Sequence, residues 1–250
     1  MSASDTIVHG PADVSSSALL QVRSLGKRYG DQHALFDISF EARACEVIGL
    51  IGPNGAGKTT LLEALAGVLP ADQGEVLWRG TSLPLRRRRE VMFYLPDGLR
   101  PWDDQYVARV LEFFANVYRR LARQVRDVVH AVGLQPVLRK RVSALSKGFA
   151  RRLMLALALL TPQPLLLMDE PFDGFDLRQT REIMGLIRQV AANGRTLVLA
   201  IHQLADAERI ADRVVLLADG KVRGTGTLAE LRARTSLPLG SLEDIFLALT

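Results

Sequence analysis

The sequence predicts a protein of the α/β class, in which a parallel sheet covered by helices on both faces is interrupted by an inserted helical region. Near-continuous apolar runs at Leu165–Met168, Thr196–Ile201 and Val214–Leu217 are separated by helical patterns. Such runs are typical of strands that are buried on both faces of a parallel sheet. The segment from Asp103 to Val132 instead has the 3.6-residue apolar spacing of helices. It lies between an earlier strand-rich region and these later strands.

The individual elements follow from local patterns. Five short runs before the helical segment predict strands, at Leu19–Arg23, Leu35–Glu41, Glu46–Ile51, Glu75–Trp78 and Val91–Leu95. One apolar face of the helical segment is predicted to comprise Val107, Val110, Leu111, Phe114 and Val117.

Two further local signals lie near the end of the chain. Asp219-Gly220 predicts a tight hairpin turn after Val214–Leu217, and Ser241 is expected to cap a short helix through Leu249. By contrast, residues 1–17 are rich in Ser, Ala and Asp and lack periodicity, which predicts a flexible tail.

Composition limits the class of protein. A chain of 250 residues with 48% hydrophobic and 24% charged residues is long enough for one packed domain and excludes global disorder. The longest apolar run, Leu153 to Leu160, is far shorter than the roughly 20 residues that span a bilayer. No basic-then-apolar leader opens the sequence, so we expect a cytoplasmic location. The single cysteine, Cys45, excludes an internal disulfide and a multi-cysteine metal site.

The net charge of +5 is concentrated in the middle of the chain. Residues 100–160 contain twelve basic and only four acidic residues, and a run of four arginines, Arg86–Arg89, precedes them. A basic segment of this kind fits nucleic acid, an anionic membrane surface or an acidic partner, or else a solvated helical face. Charge alone does not choose between these alternatives.

The most specific motif is a glycine-rich loop between a predicted strand and a predicted helix. It satisfies G-x-x-x-x-G-K-[ST] and consists of Gly52, Pro53, Asn54, Gly55, Ala56, Gly57, Lys58, Thr59 and Thr60. Loops of this type direct successive backbone N–H groups at the phosphates of a nucleotide. Lys58 supplies a positive charge between the phosphates, and the Thr59 hydroxyl is a ligand for Mg²⁺.

Two later strands end in groups that complete such a site. The apolar run Leu165–Met168 is followed by Asp169, which would reach Mg²⁺, and by Glu170, which would deprotonate the attacking water. His202 directly follows Thr196–Ile201 and would contact the γ-phosphate. Strand ends of a parallel sheet line one crevice, so these groups are expected to lie near the phosphate loop. A single histidine has a structural alternative, as a packed strand-end residue.

In this order, the motifs resemble the nucleotide-binding domain of ATP-binding cassette (ABC) ATPases, over nearly all of Leu20 to Leu249. Leu145-Ser146-Lys147-Gly148-Phe149 resembles the signature motif of that family, usually LSGGQ. The resemblance implies that Ser146 and Gly148 contact ATP that is bound by the opposite subunit of a dimer. It also implies that Tyr29 stacks on adenine, that Asp176 crosses the dimer interface and that His202 is the switch histidine.

The chain departs from the family pattern at four positions. Asp97 stands where a glutamine usually contacts Mg²⁺, and it brings an additional negative charge toward the phosphates. Lys147 replaces a glycine, Phe149 replaces a glutamine and Ile201 replaces a small residue. The resemblance assigns Asp97 to the metal site together with Thr59 and Asp169.

The resemblance also implies an architecture. It is a P-loop NTPase (RecA-like) parallel-sheet core with an N-terminal antiparallel β-subdomain and an inserted α-helical subdomain. The expected parts are 18–96 for the β-subdomain and first half of the core, 97–153 for the helical subdomain, 154–226 for the rest of the core and 227–250 for the C-terminal helices.

The implied function is that of the ATP-binding and ATP-hydrolysing subunit of an ABC transporter, with ATP and Mg²⁺ as cofactors. Its implied partners are a separate transmembrane permease and a second ATPase subunit, identical or similar, so that the protein works peripherally on the inner face of the cell membrane. The segment Leu242–Thr250 resembles the closing segment of exporter ATPases.

Two alternatives belong to other functional classes. One is a soluble ABC ATPase that acts on nucleic acid or the ribosome, although the chain contains neither an inserted coiled coil nor a second cassette. The other is a catalytically inactive regulatory cassette, against which Lys58 and Glu170 argue.

Overall fold

A computed structural model describes residues 18–250 and contains two sheets that pack around a shared phosphate loop. The predicted tail, residues 1–17, lies outside the described residues. The larger sheet has six strands in the order β10-β9-β3-β8-β7-β6. Its strands are β3 (Val47–Ile51), β6 (Met92–Leu95), β7 (Leu165–Asp169), β8 (Thr196–Ile201), β9 (Arg213–Ala218) and β10 (Lys221–Gly226).

The pairing in this sheet confirms the predicted fold class. β3 pairs with β8 and β9, and β7 pairs with β6 and β8, all in parallel, whereas β10 pairs antiparallel with β9. β3, β7 and β8 are buried over their entire length, as expected for strands with helices on both faces. The β9–β10 connection is the predicted Asp219-Gly220 turn, in which both residues have positive φ.

The smaller sheet is antiparallel and has the order β2-β1-β4-β5. Its strands are β1 (Leu20–Tyr29), β2 (Gln32–Ala42), β4 (Gln73–Trp78) and β5 (Thr81–Ser82). β1 continues six residues beyond the predicted end at Arg23. The register shifts between Val22 and Leu25, next to Ser24 at φ 47°, interrupt the period-two pattern on which the prediction depended.

Helices cover both faces of the larger sheet and form the inserted region. They are α1 (Lys58–Ala66), α2 (Arg88–Val91), α3 (Val107–Val117), α4 (Ala122–Ala131), α5 (Lys147–Leu160), α6 (Leu177–Ala192), α7 (Leu204–Ile210), α8 (Leu228–Thr235) and α9 (Leu242–Leu249). The Ser241 hydroxyl accepts from the Asp244 N–H, which confirms the predicted cap of α9. Within residues 18–250, no helix is both long and apolar enough to cross a membrane.

The segment predicted as one helical pattern from Asp103 to Val132 is divided into α3 and α4. Arg119 adopts a left-handed conformation at φ 51° and its N–H donates to the Asn116 carbonyl, so the first helix ends before it. Of the predicted apolar face, Val107, Val110 and Leu111 are buried. Val117, the last residue of α3, is 57% exposed, so the apolar face is not buried at this end of the helix.

The hydrophobic core lies on the two sides of the larger sheet. Alternate strand residues point to opposite faces, so Leu166 and Met168 join the cluster beneath α5 and α6, whereas Leu165 and Leu167 join the cluster beneath α1 and the smaller sheet. This arrangement places the carboxyl ends of β3, β8 and β7, which are neighbours in that order, at one edge of the core.

Candidate functional site

A polar cleft of about 520 Å³ opens at the carboxyl ends of β3, β6 and β7. Its walls come from the phosphate loop, the start of β2, the ends of β6 and β7 and the β9–β10 turn. Ligands of α/β proteins bind at this edge of the sheet. The cleft is therefore the candidate site, and a nucleotide is the ligand that its glycine-rich loop favours.

The phosphate loop requires glycine at two of its positions. A Cβ at Gly52 would lie 2.2 Å from the Leu217 carbonyl oxygen, and a Cβ at Gly57 would lie 2.6 Å from that of Ala34. Gly57 also has φ 101°, which is a left-handed conformation that favours glycine. These contacts hold the loop against β9 and β2, directly before the first turn of α1.

The predicted residues of the loop divide into two groups. Asn54, Gly55, Gly57, Lys58, Thr59 and Thr60 line the cleft. The others support it from below: Ala56 is buried and its N–H donates to the Pro53 carbonyl at 3.1 Å. The Gly52 and Pro53 carbonyls in turn accept from Lys58.

Lys58 lies across the loop with only 7% of its surface exposed. Its Nζ is 2.7 Å from the Gly52 carbonyl oxygen and 3.2 Å from that of Pro53. An ammonium has three N–H groups. Two of them are therefore held by the loop, and the third is left to donate to an anion in the cleft.

Thr59 and Asp169 provide an oxygen-only pair at the base of the cleft. The Thr59 hydroxyl donates to Asp169 Oδ2 at 2.7 Å. Burial raises the pKa of Asp169, the nearby Glu170 and Asp97 carboxylates raise it further, and the Thr59 hydroxyl and Lys58 oppose the shift. A hydroxyl and a carboxylate that bears an uncompensated charge fit Mg²⁺, which prefers oxygen ligands.

Within residues 18–250 no cluster of three or more His, Cys, Asp or Glu side chains forms a protein-only metal site. A magnesium ion held by Thr59 and Asp169 would complete its coordination with phosphate oxygens and water, as is usual for nucleotide-bound Mg²⁺. When bound, the ion neutralises charge on the phosphates and on Asp169.

The structure brings Glu170 and His202 together. His202 Nδ1 lies 2.6 Å from Glu170 Oε2. Glu170 has φ 47°, and its backbone N–H donates to the Ala200 carbonyl at 3.0 Å, so the turn after β7 is attached to the neighbouring strand β8. Glu170 lines the phosphate cleft as well as a smaller adjoining cleft of about 300 Å³ that His202 also lines.

Asp97 also reaches the cleft, at the end of β6. Its Oδ1 accepts from Nη2 of Arg151, on α5, at 2.9 Å. Sequence reasoning identified Asp97 but missed Arg151. The signal for it was present, because Arg151 is a basic residue three positions after Gly148 in the signature segment.

The signature segment lies apart from the cleft of its own chain. Ser146 is the exposed N-cap of α5, and its hydroxyl accepts from the Phe149 N–H at 3.4 Å. Gly148 follows in the first turn, where a Cβ would lie 3.5 Å from the Gly174 carbonyl oxygen. Neither Ser146 nor Gly148 is among the residues that line the phosphate cleft in the described part of the chain.

The loop after Glu170 packs against the signature segment. Lys147 Nζ lies 2.8 Å from Asp173 Oδ2, and this hydrogen bond holds the pKa of Asp173 below its ordinary value. Asp176 caps α6, since its Oδ1 accepts from the Gln179 N–H at 2.8 Å. Sequence reasoning singled out Asp176 but missed the pairing of Lys147 with Asp173.

Tyr29, which the resemblance assigns to adenine, lies at the end of the first strand of the smaller sheet. Tyr29 ends β1, is 51% exposed, and its ring centre lies 5.7 Å from Lys27 Nζ. The residues of this region that line the cleft are Gln32, His33 and Ala34. The His33 ring packs edge-on against Phe36, with 5.4 Å between ring centres. His33 was not identified from the sequence.

Several basic residues of the central segment are bound inside the protein. Arg120 Nε donates to the Leu160 carbonyl at 2.7 Å, and Arg152 pairs with Glu182 at 3.1 Å. In the preceding arginine run, Arg88 is buried and donates to the Leu83 and Ala64 carbonyls. Part of the positive charge of this segment is therefore used in hydrogen bonds and ion pairs that link neighbouring elements of the protein.

The chain is similar to known proteins along most of its length. Residues 35–173 match the family model described as "ABC transporter". The hemin import ATP-binding protein HmuV of Thermobifida fusca is 34% identical over 226 residues, which cover 87% of this chain and 80% of the relative. A Nod factor export ATP-binding protein I of Ralstonia nicotianae is 34% identical over 230 residues, covering 89% of this chain and 71% of the relative.

Solved structures give the same result. An ATP-binding subunit of an ABC transporter superposes with a TM-score of 0.84 at 29% identity and covers 92% of this chain and 99% of its own. CbiO1 of Clostridium perfringens, part of the transporter complex cbiONQ, superposes with a TM-score of 0.76 at 25% identity, covering 88% and 93%. With the fold, the phosphate loop and these matches in agreement, the chain belongs to the ABC transporter family and is an ATP-binding subunit of the kind that hydrolyses ATP to power transport.

Proposed function

We propose that two copies of this subunit, or one copy and a similar ATPase, close around two ATP molecules and drive a separate membrane subunit. The observation that carries the proposal is the separation of two groups of residues. The phosphate loop, Asp169 and Glu170 line the cleft, whereas Ser146 and Gly148 lie at the exposed start of α5 and do not line it. A second chain would supply the signature residues that this cleft lacks.

The proposed chemistry assigns one role to each group. Lys58 and the loop N–H groups hold the phosphates, and Thr59 and Asp169 hold Mg²⁺. Glu170 accepts the proton of the attacking water, and His202, 2.6 Å away, orients that carboxylate and contacts the γ-phosphate. Asp176 lies at the interface beside the partner's nucleotide, and Tyr29 contacts adenine from the end of β1.

A trapped dimer tests the composite site. Glu170→Gln keeps the size of the side chain but removes the proton acceptor, so we expect ATP-Mg²⁺ to convert the variant to a stable dimer in size-exclusion chromatography. Ser146→Glu in the same background adds a like charge where the partner's γ-phosphate would lie, and it is expected to abolish that dimer. A monomer for Glu170→Gln with ATP-Mg²⁺, or a dimer that is insensitive to Ser146→Glu, would argue against the proposal.

An apolar groove on the helical segment 97–153 supports a membrane-embedded partner. It measures about 510 Å³ and lies between α3 and α5. Trp102 is 76% exposed, Phe113 58% and Leu99 51%. A contiguous exposed apolar surface of this kind is typical of a protein–protein interface. CbiO1, a structural neighbour, is part of a transporter complex, which favours a permease subunit as the occupant.

Charge substitution tests the groove. Phe113→Glu should abolish co-purification with a membrane subunit while the ATPase activity of the isolated protein remains. Leu239→Glu, at a site that is 94% exposed and does not line the groove, is the matched control. Equal co-purification of both variants would exclude the groove as the docking surface.

We propose export as the direction of transport, and an inner-face, peripheral location follows from the membrane partner. The support is the resemblance of Leu242–Thr250 to the closing segment of exporter ATPases. The relatives at 34% identity do not favour either direction, because they include both an import and an export protein. Flux measured in inside-out vesicles that contain both subunits decides the direction: export appears as ATP-dependent accumulation of substrate inside the vesicle.

A further inference from the structure

Asp97 is one of four carboxylates that line the cleft, together with Asp169, Glu170 and Asp219. Asp219 pairs with Arg223 at 3.0 Å, and the other three would face a polyanionic nucleotide. Negative charges at this density repel a triphosphate unless a cation is fixed beside them. The local cation therefore decides whether Asp97 hinders the site.

Arg151 is a cation fixed beside Asp97. Its side chain is 8% exposed and that of Asp97 is 49% exposed. The Nη2 of Arg151 donates to Asp97 Oδ1 at 2.9 Å, to the Asp169 carbonyl at 3.2 Å and to the Glu170 carbonyl. One guanidinium thus contacts Asp97, just after β6, and the backbone of Asp169 and Glu170 at the end of β7.

Within residues 18–250, Asp97 is the only carboxylate that forms an ion pair with Arg151, although the guanidinium charge also helps to lower the pKa of Asp173. The other acceptors are neutral backbone carbonyls, and Arg151 Nε is buried without a partner. Removing one partner of an existing buried ion pair leaves the other charge uncompensated, which is costly. Arg151 and Asp97 therefore depend on each other.

We propose that Arg151 is a positioning residue that neutralises Asp97 and fixes it to the Asp169–Glu170 backbone, so that Asp97 does not repel the nucleotide. The proposal rests on the assignment of the cleft to ATP. It explains how the chain accommodates a carboxylate where its family usually has glutamine. Arg151 also lies on α5, five residues after Ser146, so the pair connects the start of that helix to the metal end of the cleft.

A mutational cycle tests the dependence. Arg151→Gln alone leaves Asp97 unpaired, and we expect the ATPase rate at saturating Mg²⁺-ATP to fall on the order of tenfold. Asp97→Gln in the Arg151→Gln background removes the unpaired carboxylate and should restore most of the lost rate. Strictly multiplicative effects of the two substitutions would overturn the proposal.

Two readouts do not depend on turnover. The midpoint of thermal unfolding of the nucleotide-free protein should fall for each single variant and recover in the double variant. Equilibrium binding of ATP with EDTA present should weaken for Arg151→Gln and recover with Asp97→Gln, because without Mg²⁺ the carboxylate repels the phosphates directly. A double variant less stable than both single variants contradicts the pairing.

Arg195→Gln is the matched control. Arg195 donates to the Ala158 and Thr161 carbonyls at the opposite end of α5, so its loss removes a partly buried guanidinium without leaving a carboxylate unpaired. We expect a lower unfolding midpoint, unchanged ATP binding in EDTA and no rescue by Asp97→Gln. Rescue of Arg195→Gln by Asp97→Gln would mean that the recovery is non-specific, and it would count against the proposal.

Failure to fold also gives an answer. An insoluble Arg151→Gln protein whose solubility Asp97→Gln restores supports the pairing, and insolubility of both proteins contradicts it. If the wild-type protein itself does not bind ATP, the assignment of the cleft fails. The unfolding cycle between Asp97 and Arg151 would still report whether the two side chains compensate each other.

Discussion

Glu170→Gln is the substitution that most directly separates binding from hydrolysis. It replaces a carboxylate by an amide of nearly equal volume, on a side chain that is 20% exposed. The amide can still form a hydrogen bond with His202 Nδ1, which now lies 2.6 Å from Glu170 Oε2. We therefore expect the turn after β7 to keep its conformation.

The size of the effect follows from the role of the carboxylate. General-base catalysis contributes about 10²- to 10⁴-fold to a rate. With about 1.36 kcal/mol for each factor of ten, the barrier should rise by about 3 to 5 kcal/mol. ATP binding should be retained, because Lys58 and the loop that hold the phosphates are unchanged.

Although Glu170→Gln should lower turnover, it should not lower the stability of the folded protein. The Glu170 carboxylate is one of the charges that raise the pKa of the buried Asp169, so its neutralisation removes a repulsion from the native state. We expect an unfolding midpoint equal to or above that of the wild-type protein. A gain or no change in stability, together with the loss of turnover, would distinguish a catalytic role from a structural one.

The assay measures phosphate release at saturating ATP-Mg²⁺, fluorescent-nucleotide binding and thermal unfolding on the same preparations. Glu90→Gln is the control, because Glu90 is an exposed carboxylate that pairs with Arg87 and does not line the cleft. Wild-type turnover in Glu170→Gln, or a loss of nucleotide binding equal to the loss of turnover, would refute the assignment of Glu170 as the proton acceptor.

Three other substitutions test the remainder of the site. Lys58→Ala should weaken ATP binding by about 10- to 100-fold, since a charge-assisted hydrogen bond contributes about 1.5 to 3 kcal/mol, and unchanged binding in a titration would remove Lys58 from the site. Asp169→Asn should stabilise the nucleotide-free protein at neutral pH but lower the rate of ATP hydrolysis. Because the pKa of Asp169 is raised in the folded state, the folded protein loses stability as pH rises from the unfolded-state pKa of 3.8 through the folded-state pKa. The Asn side chain does not titrate, so this pH dependence of the unfolding midpoint should disappear in the variant. Gly52→Ala should lower the free energy of unfolding, measured with denaturant, by more than about 2 kcal/mol, because its Cβ would lie 2.2 Å from a backbone oxygen. The control Gly185→Ala, in open space within α6, should raise that free energy by about 0.5 to 1 kcal/mol. Equal effects of the two substitutions would show that movement of the loop relieves the close approach at Gly52.

Features that depend on neighbouring residues were accessible from the sequence. The phosphate loop is specified by a strand, nine consecutive residues and a helix, and the apolar run before Asp169 predicts a buried parallel strand that ends in a carboxylate. Because parallel strands end at one edge of a sheet, their convergence at the cleft follows from topology. The proximity of Thr59 and Asp169, which are 2.7 Å apart, needed only these local signals.

Features that depend on backbone exceptions were not accessible. Nothing in the apolar periodicity from Asp103 to Val132 indicates that Arg119 adopts φ 51° and divides the helix. Likewise, the bulge near Ser24 hides the continuation of β1 from any test of alternation. The free-energy cost of a positive φ at a non-glycine residue is small enough for tertiary contacts to offset it. Such residues therefore need not be glycine, and the sequence does not identify them.

Long-range ion pairs form a third category, and Arg151 is the clearest case. From the sequence alone, Asp97 is interpreted as an extra negative charge near the γ-phosphate. Its compensating partner, Arg151, lies 54 residues later on another element, so local sequence patterns do not reveal the pair. Their proximity depends on how α5 packs against the end of β6. Only the three-dimensional arrangement changes the interpretation of Asp97 from an isolated charge to half of a pair.

This pairing determines which charges a ligand must satisfy. With Asp97 paired with Arg151 and Asp219 paired with Arg223, the cleft presents Asp169 and Glu170 against Lys58, whose ammonium already donates to two loop carbonyls. Asp169 remains buried, with a raised pKa and the Thr59 hydroxyl as its hydrogen-bond donor. A triphosphate alone would add negative charge to an anionic base, whereas a triphosphate with a divalent cation at Asp169 would balance it. ATP affinity should therefore rise when Mg²⁺ is added to the wild-type protein and change much less in Asp169→Asn. An equal gain in both proteins would mean that the cation does not reach this carboxylate.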